Sequence, residues 1–309
     1  MNDTISDLTF RPACHADADQ VLDLMKRCEI EEYGEPDSSL EDLLNDWEQM
    51  NLESDSWLAF TSLGNLAGYA AVIPWVDRLR YDFFLDPVWG SSALGHDLLR
   101  RCEQRGRIIT QADTQRKRSK AVIYVARANQ RDRQVVEEAD YQAIRHHYQM
   151  QIEFDSPPPP PSYPVGIVLR TFVPDQDAQV VHALIESAFA RPGRTPTSFE
   201  EWKKLMMRAD IFDPGLWFLA LYGEEIVGAC LGFEYGDLGW VRQLAVSEAW
   251  RRQGLGSALL LHAFNEFAQR GFTKAGLGVA ADNPKAYSLY EKIGMRRVRQ
   301  YIENEKAIE

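Results

Sequence analysis

A run of five consecutive prolines near the middle of the chain limits the possible folds more than any other feature. It lies in the segment DSPPPPPSYP, residues 155–164. Because proline lacks a backbone N–H and its ring fixes φ, this segment fits neither a helix interior nor a central strand. We expect an extended, polyproline-type linker; a ligand for an SH3-type domain is the alternative. The 309 residues then divide into 1–154, the linker and 165–309, each half of ordinary domain size.

The two halves repeat similar segments in the same order. Short similarities arise often by chance, but several in one order indicate a duplicated domain. The matching segments are LTFRP with IVLRT, WLAFTSLGNLAG (57–68) with WFLALYGEEIVG (217–228), LDPVWGSSALGHDLL (85–99) with VSEAWRRQGLGSALL (246–260), and 129–141 with 283–295.

Hydrophobic periodicity in the second half predicts a strand, two helices, a three-stranded antiparallel meander, and then helix, strand, helix and strand. Ser198 and Glu201 have the spacing of a capping box at a helix start. Pro284 and Gly294 are suited to the start and the end of the last helix. We therefore predict an α+β fold of two tandem domains, each a mixed, mainly antiparallel sheet flanked by helices.

The charge is unevenly distributed. Residues 1–164 carry 17 Lys and Arg against 28 Asp and Glu, whereas residues 165–309 carry 17 against 18. This balance argues against nucleic acid or an anionic membrane as a partner. Residues 1–56 alone hold 16 acidic side chains and three basic ones. They form either solvated helix faces or a negative wall that attracts a cationic amine or a basic partner.

Other features place the chain among ordinary intracellular proteins. It has no run of about 18 apolar residues, so we expect no transmembrane helix. The opening MNDTISDLTF lacks the order of a signal peptide, which favours a cytoplasmic location. The four cysteines show no metal-ligand spacing, so we interpret them as reduced core thiols and expect no metal site. They are Cys14, Cys28, Cys102 and Cys230.

The stretch WRRQGLGSALL, residues 250–260, places glycines and arginines at the mouth of a predicted helix. Glycines let backbone amides approach a ligand closely, and a helix N-terminus carries partial positive charge. With Arg251 and Arg252 beside it, this turn is suited to a diphosphate. It is not a Walker A motif, since no Lys-Ser/Thr follows, nor the pattern GxGxxG. A strand-to-helix turn that merely contains glycines is the alternative.

Two motifs in this half resemble those of the GNAT-type acetyltransferase superfamily. Arg251, Gly254 and Gly256 occupy the positions of its Q/R-x-x-G-x-G/A signature, and ADNPKAYSLYEKIGM resembles its Asn-x-x-Ala-x-x-Leu-Tyr-x-x-x-Gly-Phe segment, with Met295 in place of Phe. The resemblance covers about residues 165–305 and implies binding of acetyl-coenzyme A, with the diphosphate in the turn and the pantetheine arm along the preceding strand. It implies these coenzyme-binding residues: Leu244, Ala245, Val246, Arg251, Arg252, Gln253, Gly254, Leu255, Gly256, Ser257 and Asn283.

Transfer of an acyl group from a thioester to an amine requires a neutral amine, a polarised carbonyl and a proton for the leaving thiolate. The resemblance implies that Tyr290 donates this proton; an amphipathic packing role is the alternative. Where many relatives place a catalytic glutamate, this chain has Trp240, and Glu234 is the candidate base instead. A solvated turn residue is the alternative for Glu234, and a water-relayed path would need no base. We interpret His262 as a packed or surface histidine.

The first half departs from the signature where the chemistry would occur. Gly90 stands in place of Arg251, Ala93 in place of Gly254 and Val136 in place of Tyr290. We therefore interpret the first half as a degenerate copy that supports the structure or shapes the substrate site.

The resemblance implies an N-acetyltransferase that acts on a primary amine of a small molecule, with the active site in the C-terminal domain. Two alternatives remain. The tandem layout with a degenerate first half also resembles that of mycothiol synthase, which acetylates a cysteinyl amino-sugar conjugate. The chain is otherwise a non-catalytic acyl-coenzyme A sensor or partner-binding protein.

Overall fold

The computed structural model describes residues 8–75, 77–112, 120–191 and 194–308. The chain forms two compact units, one of Met1–His147 with Arg299–Glu309 and one of Tyr148–Val298. Both are mixed sheets flanked by helices, which confirms the predicted α+β class. Across the described ranges, no helix has the length and apolar character needed to cross a bilayer. Most of the opening segment used for the location hypothesis, residues 1–7, lies outside the described part.

The strands and helices follow one another in nearly the same order in both halves. In chain order they are β1 (Thr9–Arg11), α1 (Ala18–Tyr33), α2 (Leu40–Trp47), α3 (Leu52–Asp55), β2 (Ser56–Phe60), β3 (Leu66–Pro74), β4 (Leu79–Leu85), α4 (Ser92–Ala112), β5 (Lys120–Ala126), α5 (Gln130–Glu138), β6 (Gln142–Glu153), β7 (Ile167–Thr171), α6 (Pro174–Ala188), α7 (Phe199–Met206), β8 (Trp217–Tyr222), β9 (Glu225–Tyr235), β10 (Leu238–Val246), α8 (Leu255–Gln269), β11 (Lys274–Ala280), α9 (Pro284–Ile293) and β12 (Arg296–Ala307).

The first unit has the sheet order β1-β2-β3-β4-β5-β12. Its neighbouring strands are antiparallel except β4 and β5, which are parallel. In the described part of the chain, these two pair through Leu79 with Ala121 and Arg80 with Val122. One apolar core contains buried residues of α4 and α5, and a separate one contains those of α1 and α2. The sheet is therefore covered by apolar packing on both faces.

The second unit has the sheet order β6-β11-β10-β9-β8-β7. Strands β7 to β10 form an antiparallel meander, and β10 is parallel to β11. Helices α6 and α8 both pack on β9 and β10. Gly239 on β10 allows the close approach of α8, because a methyl group there would lie 2.4 Å from the ring of Phe267.

The compact units differ from the contiguous division into 1–154 and 165–309 that the sequence suggested. The last strand, β12, pairs with β5 through Tyr301–Ala307 and so belongs to the first unit. Residues 148–153 of β6 belong to the second unit, whose sheet they extend beside β11. Most of the second half's final strand thus belongs to the first unit, and the second part of the first half's final strand belongs to the second unit. Local sequence cannot show this, because a strand's pattern is the same whichever neighbour it pairs with.

Several local signals have the predicted structure. Ser198 and Glu201 form the capping box of α7, Pro284 occupies the first turn of α9, and Gly294 ends that helix with φ +100°. The segment 155–164 contains no helix or strand. It lies against its own unit, since Asn265 Nδ2 on α8 donates to the carbonyl of Pro159 at 3.0 Å.

The prediction of core cysteines is wrong for one of the four. All are free, and three are buried, but Cys14 is exposed. Its Sγ donates to Asp17 at 3.1 Å, at a helix entrance rather than in a core. A cysteine in a short connection has no periodic pattern from which its exposure could be predicted.

Candidate functional site

The parallel strands of the second unit separate partway along their length. Residues Leu238–Val241 of β10 pair with Lys274–Leu277 of β11. Beyond Val241 the pairs of β10 that the described structure shows are with β9 alone, after a register shift between Val241 and Gln243. The edge of β10 that carries Leu244, Ala245 and Val246 therefore faces a gap in the sheet, where none of the described residues of β11 pairs with it and a ligand has room to do so.

The glycine turn lies where β10 leads into α8. Gly254 is the N-cap of α8 with φ +85°, and none of the described side chains caps the helix. The first intrahelical bond runs from Ala258 N to Gly254 O at 3.0 Å. The N–H groups of Leu255, Gly256 and Ser257 thus lie at an uncapped helix end, where an anion is stabilised by donors and by the helix dipole.

Of the two glycines in the signature, one is required for its backbone conformation. A methyl group at Gly254 would meet no protein atom within 4 Å, so the positive φ, together with space for a ligand, accounts for this glycine. At Gly256 a methyl group would lie 3.5 Å from Leu289 Cδ1, an ordinary contact. This agrees with a signature that permits alanine at the second position.

Two side chains of the turn, those of Arg251 and Gln253, donate hydrogen bonds to backbone carbonyls and so stabilise its conformation. Arg251 Nε donates to the carbonyl of Val246 at 3.1 Å, and Gln253 Nε2 donates to that of Ala249 at 2.7 Å. Arg252 has a left-handed backbone, with φ +64°. Arg251, Arg252 and Gln253 are exposed, while Leu255 is buried and anchors the helix start. The turn therefore presents cationic side chains and free backbone donors at one place.

Tyr290 projects from α9 into the core of the second unit. Its side chain is 8% exposed, and its phenol is influenced by the nearby thiol of Cys230, whose residue pairs with Leu244 on β10. Burial raises the pKa of Tyr290 to about 12. The phenol is therefore protonated at neutral pH, the form that a general acid requires.

Two other predicted residues lie at helix starts. The Asn283 side chain accepts a hydrogen bond from Ala286 N at 3.2 Å and caps α9. Asn129 caps α5 in the same way through Asp132 N at 2.9 Å, which supports the duplication. Ser257 is half-buried in the first turn of α8.

The structure corrects the expectation that Glu234 faces the site. Glu234 pairs with Gly239, at the end of β10 opposite to the turn and roughly 20 Å from Val246 along the strand. Its carboxylate is 45% exposed and accepts from Arg270 at 3.1 Å. Asp237 lies at the same end and pairs with Lys274. The sheet register separates these carboxylates from Tyr290, and a sequence does not contain that register.

His262 is a packed histidine, as the sequence suggested. Its ring meets Phe218 edge-on with centroids 4.6 Å apart, and burial lowers its pKa, so it is neutral at pH 7.

The corresponding turn of the first unit is closed by its own side chains. Asp86 is 2% exposed, and its carboxylate accepts the N–H groups of Val88 and Trp89 at 2.9 and 3.0 Å. The Ser91 hydroxyl accepts from Leu94 N at 3.2 Å, at the start of α4. Internal acceptors therefore take backbone donors at this turn, whereas the second unit leaves its helix end uncapped.

Arg131 completes this closure. Its guanidinium donates to the carbonyls of Leu85, Asp86 and Gly90 at 2.8, 3.3 and 3.1 Å. Sequence reasoning missed both Asp86 and Arg131. Asp-Pro at 86–87 was the available signal, because an aspartate before such a turn often binds the backbone two residues on.

Comparison with known proteins indicates the same family as the two sequence motifs. Residues 179–295 match the acetyltransferase (GNAT) family. A mycothiol acetyltransferase of Renibacterium salmoninarum is 30% identical over 177 residues, which are 53% of this chain and 51% of that protein. One from Thermobispora bispora is 32% identical over 162 residues, 48% of this chain and 53% of that protein. The chain thus spans about half the length of the curated relatives it matches.

Solved structures extend the similarity over the whole chain. A GCN5-related N-acetyltransferase from Sphaerobacter thermophilus is 30% identical with a TM-score of 0.88, covering 100% of this chain and 97% of that one. A tandem GNAT protein from the clavulanic acid biosynthesis pathway has a TM-score of 0.74, over 98% of this chain and 99% of that one. At 15% identity the second similarity shows the fold alone.

Proposed function

Since the chain belongs to the GCN5-related N-acetyltransferase family, we propose that its second unit transfers an acetyl group from acetyl-coenzyme A to a primary amine of a small molecule. One observation supports this proposal above all. The N-terminus of α8, directly after Gly254, has no cap among the described side chains, and it follows the strand that borders the gap between β10 and β11. The turn suits the diphosphate, and the free strand edge suits the amide groups of the pantetheine arm.

The residues at the gap suit acyl transfer. The amine nitrogen attacks the thioester carbonyl carbon, the carbon–sulfur bond breaks, and the thiolate takes a proton from the Tyr290 hydroxyl. Low polarity around Tyr290 keeps that proton in place until the thiolate forms, since burial raises its pKa. We assign no general base, because Glu234 lies at the other end of β10. The acceptor therefore attacks as the neutral amine. The proton that its nitrogen loses on forming the amide passes to water, and the Tyr290 phenolate regains its proton from water.

A mycothiol acetyltransferase-like reaction is the second candidate. It is favoured by the matches of 30% and 32% identity to two such enzymes. The acceptor would then be the amine of a cysteinyl amino-sugar conjugate.

A panel of amines with acetyl-coenzyme A, followed by the release of free thiol, tests the proposal. The panel includes simple alkyl and aromatic amines, amino sugars and a cysteinyl amino sugar. We expect turnover with at least one amine and its loss in Tyr290→Phe. Binding of acetyl-coenzyme A without turnover of any amine contradicts the enzymatic proposal and supports the sensor alternative.

A further inference from the structure

The first unit contains a cavity of about 280 Å³ where its own parallel strands separate. Among the described residues, strands β4 and β5 pair at Leu79 and Arg80, and residues of both strands beyond that point line the cavity. Its walls include side chains from α1, β4, β5 and β12: Cys28, Glu32, Asp82, Phe84, Tyr124 and Tyr301. In the second unit the equivalent gap lies beside a turn with free backbone donors. Here Asp86 and Arg131 close that turn, so a coenzyme diphosphate has no corresponding place.

The charges around the cavity are mainly negative, and one carboxylate has no cation. Glu29 accepts from Asp37 N and from Ser38, Asp82 pairs with Arg80, and Asp132 pairs with Arg131. Glu32 accepts only the side-chain amide of Asn129, at 2.7 Å, and forms no ion pair with the described residues. Glu32 also lines a second cavity of about 270 Å³, so its side chain borders two cavities.

Burial, together with the weaker effect of the nearby carboxylates of Asp132 and Glu29, raises the pKa of Glu32 to about 7, although the Asn129 amide and Arg131 act to lower it. From the sheet, the Arg80–Asp82 pair and the phenols of Tyr124 and Tyr301 line the same cavity. Burial raises the pKa of both phenols, so they stay neutral at physiological pH. A bound cation would compensate the Glu32 charge that burial disfavours.

We propose that this cavity binds a small primary ammonium compound, with its ammonium group at Glu32 and its apolar body against Phe84, Tyr124 and Tyr301. The aromatic rings offer apolar surface to the body of the ligand, and a partly desolvated carboxylate supplies a charge-assisted hydrogen bond to its ammonium group. The size of the cavity suits a ligand such as benzylammonium. This site is separate from the transfer reaction and needs no acetyl-coenzyme A.

Calorimetric titration of the full chain at pH 8 with three matched probes tests the site: benzylammonium, neutral benzyl alcohol and anionic benzoate. We expect benzylammonium to bind at least tenfold more tightly than the other two. Glu32→Gln preserves the shape and the Asn129 contact and should remove this preference. Asp19→Asn, an exposed change at the far end of α1, should leave it unaltered. Because no acetyl-coenzyme A is present, failure here is distinct from failure of acetyl transfer.

A pH series on the unaltered chain gives a second readout that does not depend on a variant folding. The ammonium binds ionised Glu32, which rises from about one tenth to about nine tenths of the population between pH 6 and pH 8. Affinity for benzylammonium should therefore rise by about tenfold over this range. A flat pH profile, equal binding of benzyl alcohol, or unchanged binding in Glu32→Gln overturns the proposal.

Discussion

The variant Gly254→Val tests whether the backbone at this position is needed for binding acetyl-coenzyme A, apart from its contribution to the stability of the fold. Gly254 has φ +85°, and a side chain there would touch no protein atom within 4 Å. The folded protein therefore loses only the conformational term, about 1–2 kcal/mol for an ordinary residue in this region and more for a β-branched one. For a unit of this size, 2 kcal/mol corresponds to a fall in Tm of about 4–8 °C.

Gly271 provides a matched control just beyond the other end of α8. It has φ +91° and likewise no atom within 4 Å of an added side chain. Gly271→Val should therefore lower Tm by a similar amount. Acetyl-coenzyme A, titrated calorimetrically into folded protein, should bind the unaltered chain and Gly271→Val once per chain. It should show no measurable binding to Gly254→Val, whose side chain occupies the place of close approach.

Two results would refute this reasoning. If Gly254→Val binds acetyl-coenzyme A normally, the diphosphate does not lie against this turn. If both valine variants lose binding equally, the loss reflects weakened folding rather than a blocked site. Two equal sites per chain would contradict the interpretation that the first half is degenerate.

Three further predictions concern single side chains. Tyr290→Phe should lower kcat by about 10²–10⁴ with little change in acetyl-coenzyme A affinity. In the unaltered enzyme, the pKa of Tyr290 is raised to about 12. Loss of activity through ionisation of this phenol should therefore begin only above about pH 11. Glu234→Gln should leave kcat within about twofold of the unaltered value. It should lower the free energy of unfolding by less than about 1 kcal/mol, since Arg270 keeps two other carboxylate partners. A large fall in kcat would restore Glu234 as the candidate base. Arg131→Ala should destabilise the first unit by about 1–3 kcal/mol in urea unfolding, because three backbone carbonyls lose the guanidinium as a donor. The Asp86 carbonyl still accepts from Gly90 N, and the Leu85 carbonyl from Cys28 Sγ. An unchanged midpoint would show that water replaces the guanidinium.

The sequence by itself determined the features that depend on neighbouring residues. The Ser198–Glu201 capping box, the entry of α9 at Pro284 and its end at Gly294 follow from short-range hydrogen bonding and from φ preferences. The glycine turn is of the same kind, since the left-handed Gly254 and the helix after it lie within a few residues. The α+β class follows from the order of such elements along the chain.

Only the tertiary structure decided what depends on partners distant in the chain. The assignment of Tyr301–Ala307 of β12 to the first unit depends on its pairing with β5, a strand more than 170 residues earlier in the chain. The register of β9 on β10 carries Glu234 to the end opposite the turn, although it lies only 20 residues before Gly254. Arg131 reaches the closed turn of the first unit from more than 40 residues away. The register of β9 on β10 and the closed turn of the first unit depend on packing between residues far apart in the chain, and a single sequence does not show which distant residues meet.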